Sequence, residues 1–525
     1  MTRGLSALDA LVILLYLVGT TLLGIWVGRR QRDAKDYFVA GRTIPWWAVM
    51  FSVVASETSA LTFISIPGLA YIGNLGFLQV SVGYLLGRIV VATVLLPRYY
   101  QGELVTAYAL LEQRFGLATR RFTSIVFMVT RGLADSVRVF ATAIPIALIL
   151  NGVVPTQWVM PTAVLVLGTL TIIYTYRGGM RAVVWTEILQ ASVYIIGGVA
   201  ALVLLGQLVN GGWSQIVAAA GPAGKLKFID FYTGFDRPHT VFAGLIGGAF
   251  LSMASHGADQ LIVQRLLSAR TLKDAQVAII GSGVAVTLQF TLFLMIGVGL
   301  WALYGPNHGF AKPDDVFPTF ILQYMPHGLL GLVLAAILAA TMSTHSGAIN
   351  SLAAAATHDI YLPLTGGRAD DPRTLRVGKI FALLWGIVLT GGALLFPQNQ
   401  QTPVVVVALS IASFTYGGLL GGFFLGILWR RARQSDAIIG MSIGILAMAF
   451  VVFARQIAAF VPGLAGMLHP LSTIAWPWYV LIGTVITLVV GILSSFTHGA
   501  PTPAPVPAPA SLRHSRSVAA PERTS

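Results

Sequence analysis

The sequence predicts an all-α polytopic membrane protein of about 13 transmembrane helices, and three observations carry that prediction. Of 525 residues, 56% are hydrophobic and only 10% charged, with a mean hydropathy of +0.79. A soluble chain carries about 25% charged residues and could not cover its surface with so few. A spanning helix needs about 20 consecutive apolar residues. Such stretches centre near residues 17, 57, 87, 135, 166, 196, 250, 290, 342, 386, 415, 446 and 484. Finally, charge is confined largely to the connections, and every second connection is basic, as in a multi-pass protein whose cytoplasmic loops hold Lys and Arg.

Taken in order, the first stretch, Ala7 to Val27, is too long for the apolar part of a signal peptide and lacks a small-residue cleavage pattern, so it is expected to span. Placing the connection after it inside (Arg29, Arg30, Arg32, Lys35, Arg42) puts 24 of the 33 Lys and Arg on that side. Six fall outside (Arg3, Lys225, Lys227, Arg237, Lys312, Arg455) and three within helices (Arg88, Arg131, Arg138). An error of one helix would scramble the alternation. The expectation is a bacterial inner (plasma) membrane protein with its N-terminus outside and C-terminus cytoplasmic. The net charge of +14 then reports topology; nucleic acid would need a solvated basic domain. The expected partners are a small-molecule solute and the lipid bilayer, with no nucleic acid, and a monomer as the functional unit.

With no cysteine, disulfides, thiolate metal sites and cysteine nucleophiles are excluded. The Pro/Ala-rich segment 497–525 is expected to be a disordered cytoplasmic tail, too short for a signalling domain. The paired carboxylates Asp314-Asp315 and Asp370-Asp371 lie in connections without a supporting His/Asp constellation. The chain is therefore not expected to be an enzyme, and its function must lie within the membrane.

Two stretches look interrupted. FSVVASETSALTFISIPGLAY (Phe51–Tyr71) holds polar residues at its middle, and GLIGGAFLSMASHGADQLIVQR (Gly244–Arg265) holds Ser255, His256, Gly257 and Asp259 at membrane depth. Five helices apart, they cross in opposite directions, which points to an inverted-repeat transporter with its site at the midplane. Ionisable or strongly polar residues at depth cost a few kcal/mol each and need a partner or a use. They are Glu57, Arg131, Asp135, Arg138, Glu187, His256, Asp259, Gln289 and His345. Helical spacing lets Asp135 neutralise Arg131 or Arg138. In the ninth stretch Ala340, Ser343, Thr344, Ser346 and Gly347 fall on or near one stripe. That stripe is either an oxygen cage for a hard cation or a small-residue packing face.

DYFVAGRTIPWW (Asp36–Trp47), YTYRGGMRAVVWTEILQ (Tyr174–Gln190), QRLLSARTLKDA (Gln264–Ala275) and AATMSTHS (Ala339–Ser346) occur in this order. With these blocks the chain resembles, from Asp36 to Trp429, the sodium:solute symporter family of sodium-coupled sugar, proline, sialic acid, monocarboxylate, vitamin and iodide transporters. The resemblance implies a LeuT-like inverted five-plus-five repeat with broken first and sixth core helices. Residues 1–28 would be an extra N-terminal helix, 44–429 the ten-helix core (repeats about 44–210 and 239–429), and 436–495 two further helices.

It also implies Na+ as the coupling ion, bound by Ala55 and Thr58 on the broken first core helix and by Ala340, Ser343 and Thr344 on the eighth. Some members bind a second sodium. Here Glu187 replaces the aspartate of that site, Ser346 fits, and Gly347 stands where a hydroxyl is expected. The positions implied to line the solute are Thr62, Gln79, Arg138, Asp259 and Gln289. The side chains that sugar carriers use are changed at four or more of five positions, so a hexose is not supported. Arg138 lies within a residue of a carboxylate-binding arginine of sialic acid carriers, which favours a small organic anion. Glu57 opposes an anion unless it is paired inside the bundle. A proton carrier of the same fold, using Glu57, Glu187 or Asp259, stands as the alternative, as does a sugar or amino-acid carrier.

Overall fold

The computed structural model describes residues 5–29, 31, 33–57, 60–101, 104–150, 154–306, 309–310, 312–395 and 404–498. Apolar stretches in a bilayer must satisfy their backbone internally, and helices do so within one segment. Among the described residues there is accordingly no β-strand, only an isolated parallel bridge between Ile44 and Ala269.

The helices that matter here are α1 (Ala7–Val27), α2 (Trp46–Glu57), α3 (Ala60–Ile72), α4 (Leu78–Val90), α5 (Tyr108–Phe115), α6 (Leu117–Leu150), α7 (Thr156–Leu208) and α8 (Gly248–Gly257). They continue with α9 (Gln260–Leu267), α10 (Leu272–Tyr304), α11 (Val316–Tyr324), α12 (Leu329–Ala355), α13 (Pro372–Leu394), α14 (Val404–Leu428), α15 (Gln434–Val452) and α16 (Trp478–Ser495). Each of the thirteen sequence centres falls within one of these helices, two of them in the 53-residue α7. By length and hydropathy eight spans qualify among the described residues, nine if α2 and α3 count as one; several of the remaining centres lie in helices that are broken, short or more polar. The tail beyond 498 lies outside the described residues.

Local sequence explains the bends. In α7, Gly179 adopts φ 55°, ψ −154°, a conformation that side-chain-bearing residues avoid, so the Gly178-Gly179 pair divides the helix into two spans. Three of the four sequence blocks meet beside this bend. Ile44 N–H donates to Ser268 O at 3.1 Å, Gln264 Nε2 to Phe38 O at 2.7 Å, and Tyr37 OH to Thr175 O at 3.2 Å. Arg114, Arg120 and Arg431 make further ties at this same end, to the 426–430 backbone, to Asp359 and to Ser495 O. The basic connections thus assemble at one end of the bundle. Lys225 lies at the other, donating to Tyr71 O at 2.6 Å and Gly73 O at 3.0 Å, with its pKa held below the ordinary lysine value by burial.

Rich in Ala, Ser and Gly, α12 is the central pillar: 89% of its apolar window is buried, against 17% for the peripheral α1. The two are joined at their first turns. Asp9 completes a capping box with Ser6, and its Oδ1 also accepts the N–H groups of Gly328 (2.7 Å) and Gly331 (2.9 Å) at the start of α12, while His327 Nδ1 lies 2.7 Å from Oδ2. Replacing this buried acceptor strands those donors. Asp9→Ala is therefore expected to cost about 1–3 kcal/mol and to lower the melting temperature in detergent, whereas Asp370→Ala, in an exposed pair with Arg368, leaves it unchanged. Equal melting temperatures for parent and Asp9→Ala would refute this.

Glycines bring α4 and α8 into backbone contact. A Cβ built on Gly83 would stand 2.0 Å from Gly244 O, and one on Gly87 2.3 Å from Ala249 O. Such approach is the usual function of small residues between membrane helices.

Candidate functional site

Both interrupted stretches are broken. The axis of α3 is turned 63° from that of α2. Between α8 and α9, Asp259 is extended (φ −90°, ψ 125°) and N-caps α9, its Oδ1 accepting Leu261 N–H at 2.8 Å. The carbonyl of Gly257, freed by that break, accepts Tyr99 OH at 2.5 Å. Thr58 lies outside the described residues.

Four helices converge on Glu187, which is fully buried in the second span of α7. Ser52 Oγ of α2 donates to its carboxylate, Ser343 Oγ of α12 does so at 3.2 Å, and Ser56 Oγ, whose one proton has a nearer acceptor in Ser52 O at 2.7 Å, stands 3.1 Å from it. Arg265 of α9 closes the set, with Nη2 2.6 Å from one oxygen and Nε 3.3 Å from the other. Glu187 is thus paired with a buried guanidinium. Arg265, which falls among the basic residues placed on the inner side, is wholly buried. Gly347 explains how it fits, because a Cβ there would stand 2.3 Å from Arg265 Nη2. The guanidinium takes the space that a hydroxyl at position 347 would occupy.

Ala55 lies in the same turn of α2 as Ser52 and Ser56, and is buried. On α12, Thr344 Oγ1 donates to Ala340 O at 3.1 Å, and Ser346 Oγ to Ser343 O at 3.0 Å. Because the protons of Ser343 and Thr344 are engaged, their lone pairs are available to a cation. Neutral oxygens of α12, on Ala340, Ser343 and Thr344, thus lie within a turn of the Ser343–Glu187 contact, to which α2 brings Ser52 and Ser56, on either side of Ala55. Such oxygens suit a hard monovalent cation.

The solute candidates divide. Thr62 precedes Phe63, whose ring meets Tyr194 edge-on and Phe293 and Phe317 tilted, with centroids 5.0, 5.0 and 5.1 Å apart; Gln289 Nε2 lies 3.4 Å from Tyr194 OH. Val139 and Phe140, beside Arg138, belong to the same apolar cluster. Gln79, in contrast, is engaged at the end of α4, donating to Gly76 O and His239 O and accepting Asp230 N–H at 3.1 Å. Asp259 is engaged too. Its Oδ2 accepts Tyr416 OH at 2.8 Å and Arg131 Nη1 at 3.2 Å, in addition to the cap it gives α9. Asp135 pairs with both arginines of its helix face, Arg131 at 2.6 Å and Arg138 at 3.3 Å. Glu57 is paired with Arg88, a residue that sequence reasoning had noted only as lying within a helix.

A model of the sodium:solute symporter family matches residues 37–444. The chain is 27% identical over 505 residues to the sodium/sialic acid symporter NanT of Aliivibrio fischeri, covering 94% of each. It is 28% identical over 460 residues to the sodium/sialic acid symporter SiaT of Proteus mirabilis, covering 86% of this chain and 90% of that one. A solved structure of a Na+-coupled sialic acid symporter, substrate-bound and outward-open, superposes with a TM-score of 0.80 at 26% identity, over 94% of this chain and 99% of the other.

Proposed function

The chain belongs to the sodium:solute symporter family, and from that membership we propose that it imports a small polar organic solute, preferentially an organic anion, by sodium-coupled alternating access. The convergence of α2 and α12 on the Glu187–Arg265 pair is the observation that carries the reading. In this reading Ala55 and Thr58 of the first core helix and Ala340, Ser343 and Thr344 of α12 supply the oxygens. In this proposal Na+ bound between them ties α2 to α12 and favours the outward-open, solute-competent state; loss of Na+ on the inner side releases the tie. Each inward charge gains about 2.3 kcal/mol per 100 mV of membrane potential. The core comprises residues 44–429 as repeats 44–210 and 239–429, with the basic end cytoplasmic.

Arg265 stands beside Glu187 and Gly347 as a tethered counter-charge, which argues for one sodium per cycle. A Na+ titration of thermal stability at constant ionic strength is then expected to have a Hill slope of about one; a slope near two would overturn that stoichiometry. A proton carrier is disfavoured because Glu57, Glu187 and Asp259 each already have a buried arginine as counter-ion.

The organic-anion reading rests on Arg138, which keeps 19% of its side chain exposed, and on the sialic acid symporters among the relatives. Its test is uptake into proteoliposomes under an imposed Na+ gradient, across N-acetylneuraminate, lactate, pantothenate, iodide, proline and glucose. A carboxylate is expected to be accumulated, and Arg138→Gln to reduce its uptake roughly tenfold while Na+-dependent stabilisation persists. Accumulation of glucose or proline alone would overturn the anion preference, and no Na+-driven accumulation of any solute would overturn the symport reading.

A further inference from the structure

Arg88 lies in the last turn of α4, wholly buried, and neither the cation oxygens nor the solute positions account for it. Its Nη2 pairs with the Glu57 carboxylate, and its Nη1 donates to Ser282 Oγ of α10 at 2.9 Å. The same Glu57 oxygen stands 3.5 Å from His256 Nε2, whose other ring nitrogen lies 2.8 Å from Ser255 Oγ and 3.2 Å from Ser252 O. Glu57 is the last residue of α2, two residues after Ala55, and His256 is in the last turn of α8. The two helix breaks are therefore in contact through side chains, and Arg88 reaches them from a helix that glycines already hold against α8.

Burying a guanidinium and a carboxylate stabilises a fold little compared with apolar packing, so such a pair is informative where it fixes geometry. We propose that Arg88 is a positioning residue of the coupling-cation site. Through Glu57 it holds the end of α2 that presents the Ala55 carbonyl, and through the Glu57–His256 contact it registers that end against the break in α8. This rests on the sodium reading given above and adds to it a group that touches no ion.

The test uses the full chain in detergent, with Na+ as the probe and choline as the balancing cation, and reads two quantities: the melting temperature in choline and the half-saturating Na+ concentration for stabilisation. Glu57→Gln, nearly isosteric, and Arg88→Met are each expected to raise the half-saturating Na+ concentration about tenfold, within the usual range of coupling between sites. Exchanging the pair, Glu57→Arg with Arg88→Glu, is expected to restore part of that loss. A merely structural role would lower the melting temperature in choline and leave the half-saturation at the parental value, and that result in Glu57→Gln overturns the proposal even if Arg88→Met yields no folded protein. A parent protein that ignores Na+ overturns the sodium reading itself and this inference with it; a Na+-responsive parent with unshifted variants overturns this inference alone.

Discussion

Replacing Ser343 and Thr344 together by alanine is expected to abolish Na+-dependent stabilisation and Na+-driven uptake while the protein still folds. Both hydroxyls sit on α12 with their protons committed, to Glu187 and to the Ala340 carbonyl, so what they offer is lone pairs. Losing one oxygen contact to a charge costs on the order of 1.5–3 kcal/mol, and losing two weakens Na+ binding by roughly 100-fold or more. Each single variant should fall between. In choline the double variant should melt close to the parent, because neither hydroxyl is the sole partner of a buried group: Glu187 keeps Ser52 and Arg265. Undiminished stabilisation by Na+ in the double variant would refute the assignment of these oxygens.

The second large effect is expected at Arg265. Arg265→Ala leaves Glu187 as an unpaired carboxylate at membrane depth, and breaking a buried pair from one side typically costs about 3–5 kcal/mol. The variant should give little folded protein, and what folds should melt well below the parent. Removing both charges with matching volume, Arg265→Met with Glu187→Gln, should recover most of that loss, because Ser343 can still donate to an amide oxygen at the Oε1 position while Ser52 Oγ accepts from the amide NH2 at the other. Fluorescence-detected chromatography and thermal unfolding of the three proteins check this. A double variant as unstable as Arg265→Ala would show that the guanidinium contributes packing rather than charge compensation.

Much of this architecture was legible in the sequence because a bilayer imposes simple rules. Length and hydropathy located the helices, and charge alternation grouped the connections that meet at one end. The hydroxyl stripe of α12 was visible because 3.6-residue periodicity sets Ser343, Thr344 and Ser346 on adjoining faces, and the two breaks were visible because polar residues interrupt apolar runs. What periodicity could not reach was partnership across helices. Arg265 reads as a loop cation until α9 folds back beneath α12; the available signal was Gly347, a missing side chain facing an arginine 82 positions away. Ser52 and Ser56 look like helix-packing residues until Glu187 arrives between them. Asp259 and Gln79 have the chemistry of ligand groups, but the fold uses both, one to cap α9 and the other to fasten the 229–240 connection. Residue type announces what a side chain can bond, and only the path of the chain decides which bond is made first.

The glycine contact between α4 and α8 bears on what can move. With Cβ positions on Gly83 and Gly87 falling 2.0 and 2.3 Å from carbonyl oxygens of the facing segment, the two backbones interlock without intervening side chains that could change rotamer. Dispersion between such surfaces is lost steeply with small separations, so parting them is costly and tilting them together is not. The pair is best regarded as one plank carrying Arg88 on its edge. In transport the pair is expected to move as one body, so an engineered cross-link between α4 and α8 should leave Na+-driven uptake intact.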